Sequence, residues 1–191
     1  MPASGGTRAG KSHSPTGGSA YDDGGMDQRR PIREKAHRLP REHYLGERAI
    51  AFTACLRDRR QNMTDPILVE AFTERLGEAA ARHRCTVPLY TFMPDHLHVL
   101  LLGKDEASDG KAAMDRFKAS TGWWLYRNQP GVKWQKDYWD HIVRVHEGWE
   151  SQARYIAGNP VRAGLVDDLF DWPYTGSIGY DVREVILDAH W

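Results

Sequence analysis

In the stretch Tyr90-Thr91-Phe92-Met93-Pro94-Asp95-His96-Leu97-His98-Val99-Leu100-Leu101-Leu102, two histidines sit one residue apart. They open an apolar run too short to cross a membrane and of the length of a buried strand. Side chains at i and i+2 of a strand leave the same face, with Cα atoms roughly 6–7 Å apart. One divalent cation can then sit between both imidazoles while Leu97, Val99 and Leu101 turn the other way into a core. A strand end can also carry two histidines without chemistry, so the pair gains meaning only from a second element.

That element is Tyr155-Ile156-Ala157-Gly158-Asn159-Pro160-Val161-Arg162-Ala163-Gly164-Leu165-Val166. Tyr155 and Asn159 are i and i+4, which puts them on one helix face with about 6 Å of rise between them. Asn159 precedes a proline, which disfavours continued helix, so it belongs at the helix end. A tyrosine and a carboxamide on a surface helix are by themselves ordinary.

The elements that must position these groups follow from periodicity. Arg48–Leu56 reads as a first strand. Asp65-Pro66 opens a helix, with Asp65 as N-cap and Pro66 in the first helical position, and apolar residues recur at helical spacing to about His83. Thr86–Phe92 is a second strand, joined by the tight Met93-Pro94-Asp95 connection to the third, His96–Leu102. A second helix runs from Gly110 to Arg127 and is broken by Gln129-Pro130-Gly131. Tyr138–Val145 is a fourth strand and Gly148–Gly158 a third helix. The order β-α-β-β-α-β then helix predicts an α+β fold, the ferredoxin-like split βαβ: an antiparallel sheet with two helices on one face and a C-terminal helix carrying Tyr155. If those two helices cover the face of Leu97, Val99 and Leu101, both histidines point onto an uncovered face, and removing them costs little stability.

Composition bounds the rest. A chain of 191 residues is expected to form one core. It has no apolar run of membrane-spanning length and no secretory leader pattern, which predicts a cytoplasmic protein. Cys55 and Cys85 stand far apart without a Cys-x-x-Cys motif and read as reduced core thiols. Residues 1–40 are Gly-rich and basic, lack periodicity, and are expected to be disordered. The fold is expected over 41–178, followed by an acidic tail at 179–191. Formal net charge is zero, but residues 111–164 hold nine Lys/Arg against five acids and 165–191 hold one against six. That asymmetry suits a protein meeting a polyanion on one surface.

Together the two motifs resemble the single-tyrosine HUH transposases, in which histidine, a bulky apolar residue and histidine form a metal half-site and a following Tyr-x-x-x-Asn helix completes it. The run Asn159-Pro160-Val161-Arg162-Ala163-Gly164-Leu165-Val166 and the form Met93-Pro94-Asp95-His96-Leu97-His98 look most like the branch called REP-associated tyrosine transposases. The resemblance covers roughly residues 43–178. It implies a divalent metal, Mg²⁺ or Mn²⁺, on His96, His98 and Asn159, with Tyr155 attacking a phosphodiester to give a 5′-phosphotyrosine and a free 3′-OH. Its implied partner is single-stranded hairpin DNA of palindromic repeats, nicked and rejoined by a monomer or homodimer that is nucleoid-associated when bound.

Candidate DNA contacts are Lys118, Arg127, Lys133, Lys136, Arg144, Arg154 and Arg162, with Lys111 beside them. Trp123, Trp124, Trp134, Trp139 and Trp149 offer candidate stacking surfaces, of which core packing is expected to claim most. Trp172 and Tyr174 read as packing residues, His141 as a supporting or satisfied polar group on the fourth strand, and His83 as a helix C-terminal dipole contact. Two rivals fit less well. An RNA-recognition module lacks its Arg/Lys-Gly-aromatic run here, and a two-histidine phosphoester hydrolase needs more acidic ligands than Asp95. A host role in processing repeated palindromes uses the same chemistry, and residues alone do not separate it from mobility.

Overall fold

The computed structural model describes residues 39–144 and 148–187. The expected disordered arm up to residue 38, His146 with its two neighbours, and the last four residues lie outside that set. Five strands and five helices follow in the order β1 (Ala49–Cys55), α1 (Pro66–Arg82), β2 (Cys85–Met93), β3 (His96–Gly103), α2 (Gly110–Asn128), β4 (Trp139–Ile142), α3 (Trp149–Ala157), α4 (Asn159–Arg162), β5 (Thr175–Ile178) and α5 (Val182–Leu187). The sheet order is β4-β1-β3-β2-β5, every pair antiparallel. The first four strands have the split βαβ order, and β3 with its histidines is central. Among the described residues, no helix is long and apolar enough to cross a membrane.

Local chemistry sets the helix starts. Asp65 accepts from the Ile67 N–H at 2.9 Å with Pro66 leading the helix, and Asp109 accepts from the Ala112 N–H at 2.9 Å at the head of α2. Both side chains satisfy donors that a helix N-terminus otherwise leaves orphaned. The apolar stripes of α1 (Leu68, Phe72, Leu76) and α2 (Met114, Phe117, Leu125) bury against Phe52, Leu97, Val99 and Leu101. Period-2 alternation thus sends these strand residues into the main core.

The opposite face departs from expectation. It is covered, not open: Ala153, Ile156 and Ala157 of α3 and Val185 and Ile186 of α5 pack on Ala51, Leu89 and Leu100. The physical reason is in the strands themselves. Their second set of alternating positions is also apolar, so the sheet has two faces to bury and needs a layer on each. The α5 helix falls within the segment expected as an acidic tail. Trp172 and Tyr174 fasten the crossing to the far edge, as expected of packing residues. The Trp172 Nε1–H donates to the Phe92 carbonyl at 2.8 Å, and the Phe92 N–H donates to the Tyr174 carbonyl at 3.0 Å. The chain then enters β5 alongside β2, where Gly176 leaves room for the Tyr90 phenol lying over it.

Candidate active site

A row of paired residues crosses the sheet at His98: Trp139, Thr53, His98, Thr91 and Thr175. His96 lies one pleat away, between Cys55 and Met93. The two rings meet edge to face with Nε2 atoms 3.0 Å apart. Their other nitrogens are already engaged. His96 Nδ1 pairs with Asp95 Oδ1 at 2.5 Å, and His98 Nδ1 pairs with Thr53 Oγ1 at 2.8 Å. Two lone pairs aimed at each other across 3.0 Å repel, so this geometry calls for a proton or a metal cation between them. Fixing Nδ1 to a carboxylate or hydroxyl and leaving Nε2 to a cation is the usual support for metal-binding histidine.

Both rings are buried, at 7% and 5% exposure, under α3. The sheet was expected to present them to solvent; the apolar residues of α3 docked beside them explain the difference. Burial pushes the His98 pKa well below the ordinary histidine value, and electrostatic interaction with His96, Arg162 and Arg59 pushes it the same way. The ring is therefore neutral near pH 7, with a lone pair available to a cation. Burial raises the Asp95 carboxyl, but its hydrogen bond and charge pairing with His96 and the charge of Arg59 outweigh this and hold it below its ordinary value.

Arg59 is a site residue that sequence reading missed. Its Nη1 lies 3.1 Å from Asp95 Oδ2 and donates to Cys55 Sγ at 3.2 Å. Asp58 and Arg59 have φ of 60° and 52°, the left-handed region that costs energy for residues with a Cβ and gathers at functional sites. The antiparallel pairing of Cys55 with His96 is the signal that could have found it, since a loop just past β1 must pass the start of β3.

Tyr155 and Asn159 stand on the helix layer above this face. Tyr155 is 38% exposed in the last turn of α3, and Asn159, at 5%, is the first residue of α4 after the break at Gly158. Asn159 Nδ2 donates to the Ile156 carbonyl at 3.0 Å, and its Oδ1 accepts from Arg162 Nη2 at 2.9 Å. The same guanidinium lies 4.1 Å from the Tyr155 ring centroid and donates to the Tyr155 carbonyl. An imidazole pair and a carboxamide oxygen are donor types that suit a divalent cation.

The remaining predicted contacts are scattered. Lys118 Nζ donates to the carbonyls of Gln135, Lys136 and Asp137 and sits 5.3 Å from the Tyr138 ring centroid, fastening that loop to α2. Lys133, Lys136 and Arg144 are exposed and Arg154 half-buried. Arg127 lies 5.8 Å from the centroid of Trp123, which stacks on Tyr126; these rings are 61% and 69% exposed on α2. Trp134 is in the main core and Trp124 packs against it. Trp149 packs on the second core, and Trp139 stacks on His141. His83 is the C-cap of α1.

Residues 48–158 match the family described as IS200-like transposases. A Haemophilus influenzae protein assigned as a REP-associated tyrosine transposase is 26% identical over 160 residues, covering 73% of this chain and 85% of that protein. The REP-associated tyrosine transposase of Escherichia coli is 24% identical over 157 residues, covering 79% and 88%. The fold is also that of a solved REP-associated tyrosine transposase bound to a REP hairpin, with a TM-score of 0.61 at 20% identity, covering 74% of this chain and 81% of that one.

Proposed function

This chain belongs to the IS200-like transposase family and is a DNA strand transferase of its REP-associated tyrosine branch, and from that premise we propose that it nicks and rejoins single-stranded hairpin DNA through Tyr155. What supports the proposal is an exposed tyrosine on the helix whose apolar side covers the sheet face of two buried histidines, their Nε2 atoms facing each other at 3.0 Å. The hairpin as substrate is inferred from the solved relative bound to one.

The Tyr155 Oη attacks the scissile phosphorus and loses its proton. The bond from phosphorus to the 3′-oxygen breaks, the 3′-oxygen takes up a proton, and the downstream strand stays on Tyr155 through its 5′-phosphate. The covalent bond conserves the energy of the one it replaces, so a second 3′-OH reverses the step without ATP. A divalent ion, Mg²⁺ or Mn²⁺, on His96, His98 and Asn159 would supply Lewis-acid polarisation of the phosphate. The chain's own residues do the rest. Asp95 and Thr53 hold the two rings in orientation, and the α3 layer keeps the histidines away from bulk water.

A covalent phosphotyrosine is directly observable. Wild type incubated with 3′-labelled single-stranded hairpin DNA and Mn²⁺ is expected to give a slow-migrating protein–DNA band on a denaturing gel, with peptide mapping to Tyr155. Tyr155→Phe removes one oxygen from a partly exposed ring, so the variant is expected to fold and bind hairpin yet form no adduct. An adduct in that variant, or one mapping to Tyr138 or Tyr174, would remove Tyr155 from the mechanism. Excess EDTA is expected to abolish the adduct in wild type.

A further inference from the structure

We propose that Arg162 is a positioning residue of this reaction, its single guanidinium setting both the ring of Tyr155 and the side-chain oxygen of Asn159. The inference rests on the reading of Tyr155 as nucleophile and Asn159 as metal ligand. Tyr155, Asn159 and Arg162 are i, i+4 and i+7, a spacing that keeps them on one face although the helix is interrupted at Gly158. Arg162 donates to Asn159 Oδ1 at 2.9 Å and to the Tyr155 carbonyl, and it stacks 4.1 Å from the centre of the tyrosine ring.

Each contact answers a specific freedom. An exposed tyrosine ring rotates unless something lies against it, and a planar guanidinium does so while keeping its N–H groups for hydrogen bonds. A carboxamide presents oxygen or nitrogen almost interchangeably by shape, so its neighbours must choose. Here the Ile156 carbonyl can take only the NH₂ and the guanidinium only the oxygen, so both neighbours fix the same orientation. Asn159 Oδ1 has two lone pairs; Arg162 takes one and leaves the other for a cation.

Gly158 offers a second way to move the guanidinium. Its backbone, at the junction of α3 and α4, is right-handed with φ −76° and ψ −3°, a conformation open to residues with a Cβ. The space beside it is occupied by the guanidinium. A Cβ at 158 would lie 2.7 Å from Arg162 Nη1. Gly158→Ala therefore displaces the guanidinium while leaving its charge in the protein.

Three measurements separate this role from others: calorimetric Mn²⁺ binding without DNA, the rate of Tyr155 adduct formation at saturating Mn²⁺ and hairpin, and hairpin affinity in EDTA. Removing a positive charge near the histidines favours cation binding by electrostatics alone, so a bystander Arg162 predicts tighter Mn²⁺ binding in Arg162→Gln. Positioning predicts the opposite sign. We expect Arg162→Gln to weaken Mn²⁺ binding and slow the adduct, each by about tenfold or more, the range typical of lost supporting contacts at metal sites. Gly158→Ala is expected to reproduce both losses, and the double variant to be no worse than Arg162→Gln alone. If Arg162→Gln fails to fold, Arg162→Lys takes its place: it keeps the charge but cannot both stack and fork, so a bystander predicts unchanged Mn²⁺ binding and positioning predicts the same losses. Native Mn²⁺ binding and native saturated rate in Arg162→Gln, with weaker hairpin binding in EDTA, would make Arg162 a phosphate contact and overturn the proposal; so would a Gly158→Ala protein indistinguishable from wild type. Failure of wild type itself to form the Tyr155 adduct removes the underlying reading, and the Arg162 role with it, and is recognised because no variant is involved.

Discussion

His98 lies between the sheet and the tyrosine helix, where burial first, and then electrostatic interaction with His96, Arg162 and Arg59, keeps its ring neutral. The ring that we propose as a metal ligand is thus a packing residue as well, hydrogen-bonded to Thr53 at 2.8 Å. His98→Ala leaves the Thr53 hydroxyl and His96 Nε2 without their partner in a buried site, an orphaning worth about 1–3 kcal/mol. We expect the variant to be less stable by that order in urea unfolding as well as inactive; a midpoint equal to wild type would mean the ring is not packed as described. A solvent-facing pair was the sequence expectation, and the difference shows what local pattern can carry. Spacings of two and four place His96 with His98 and Tyr155 with Asn159, because strand and helix geometry are local. Arg59 was not legible, since it reaches Asp95 only through the antiparallel register of β1 against β3. Cys55 shares that corner. Burial, offset in part by Arg59, pushes its thiol up to about 11, so it is expected to resist iodoacetamide at pH 8 until the protein is unfolded, whereas rapid labelling of the native protein would contradict that environment.

At the scale of elements, caps and periodicity were readable and edges were not. Asp65-Pro66 and the apolar repeat after it specify α1 almost to its ends, and Met93-Pro94-Asp95-His96 marks the turn into β3. The strand β5 was missed because Thr-Gly-Ser-Ile has no alternation; its position comes from the Trp172 and Tyr174 fastenings and from the space at Gly176. The helix α5 was missed because six residues with mixed charge carry little periodic signal, and its reason for forming is the distant apolar sheet face. The start of α2 offers a test of capping chemistry by charge. Burial raises the Asp109 carboxyl, but the Ala112 N–H and Arg41 outweigh it and hold the group below its ordinary value. A depressed carboxylate contributes stability that is present above its unfolded pKa of about 3.9 and is lost as pH falls through the lower folded value. Asp109→Asn keeps a capping oxygen but removes the charge. Its deficit relative to wild type is therefore expected to be full at pH 7 and to shrink below about pH 4. A deficit unchanged from pH 7 to pH 3 would show that the charge contributes nothing.

Across the whole molecule the sheet separates two layers of unequal size. Helices α1 and α2 bury a large aromatic core, with Phe72 in contact with Phe92, Phe117, Trp124 and Trp134. On the other side the tyrosine helix is held by a smaller cluster in which Ala153, Ile156 and Ala157 meet Leu89 and Leu100, with Val185 and Ile186 of α5 completing it. Few large side chains serve this layer, so it is the one expected to open first, and opening it uncovers the histidines. The same asymmetry suits the proposed mechanism, in which Tyr155 must approach and leave a bulky DNA substrate while the scaffold stays folded. Ile186 is 1% exposed and lies outside the motifs that carry chemistry, so Ile186→Ala probes the layer without touching the site. Truncating a buried isoleucine costs about 2–5 kcal/mol, with the low end expected for a small peripheral cluster that can relax. Amide hydrogen exchange in Trp149–Ala157 should then quicken by about tenfold or more, while Pro66–Arg82 keeps protection close to that of wild type at equal distance from global unfolding. Equal acceleration in both helices would mean that the two layers open as one cooperative unit, and that the tyrosine helix has no freedom of its own.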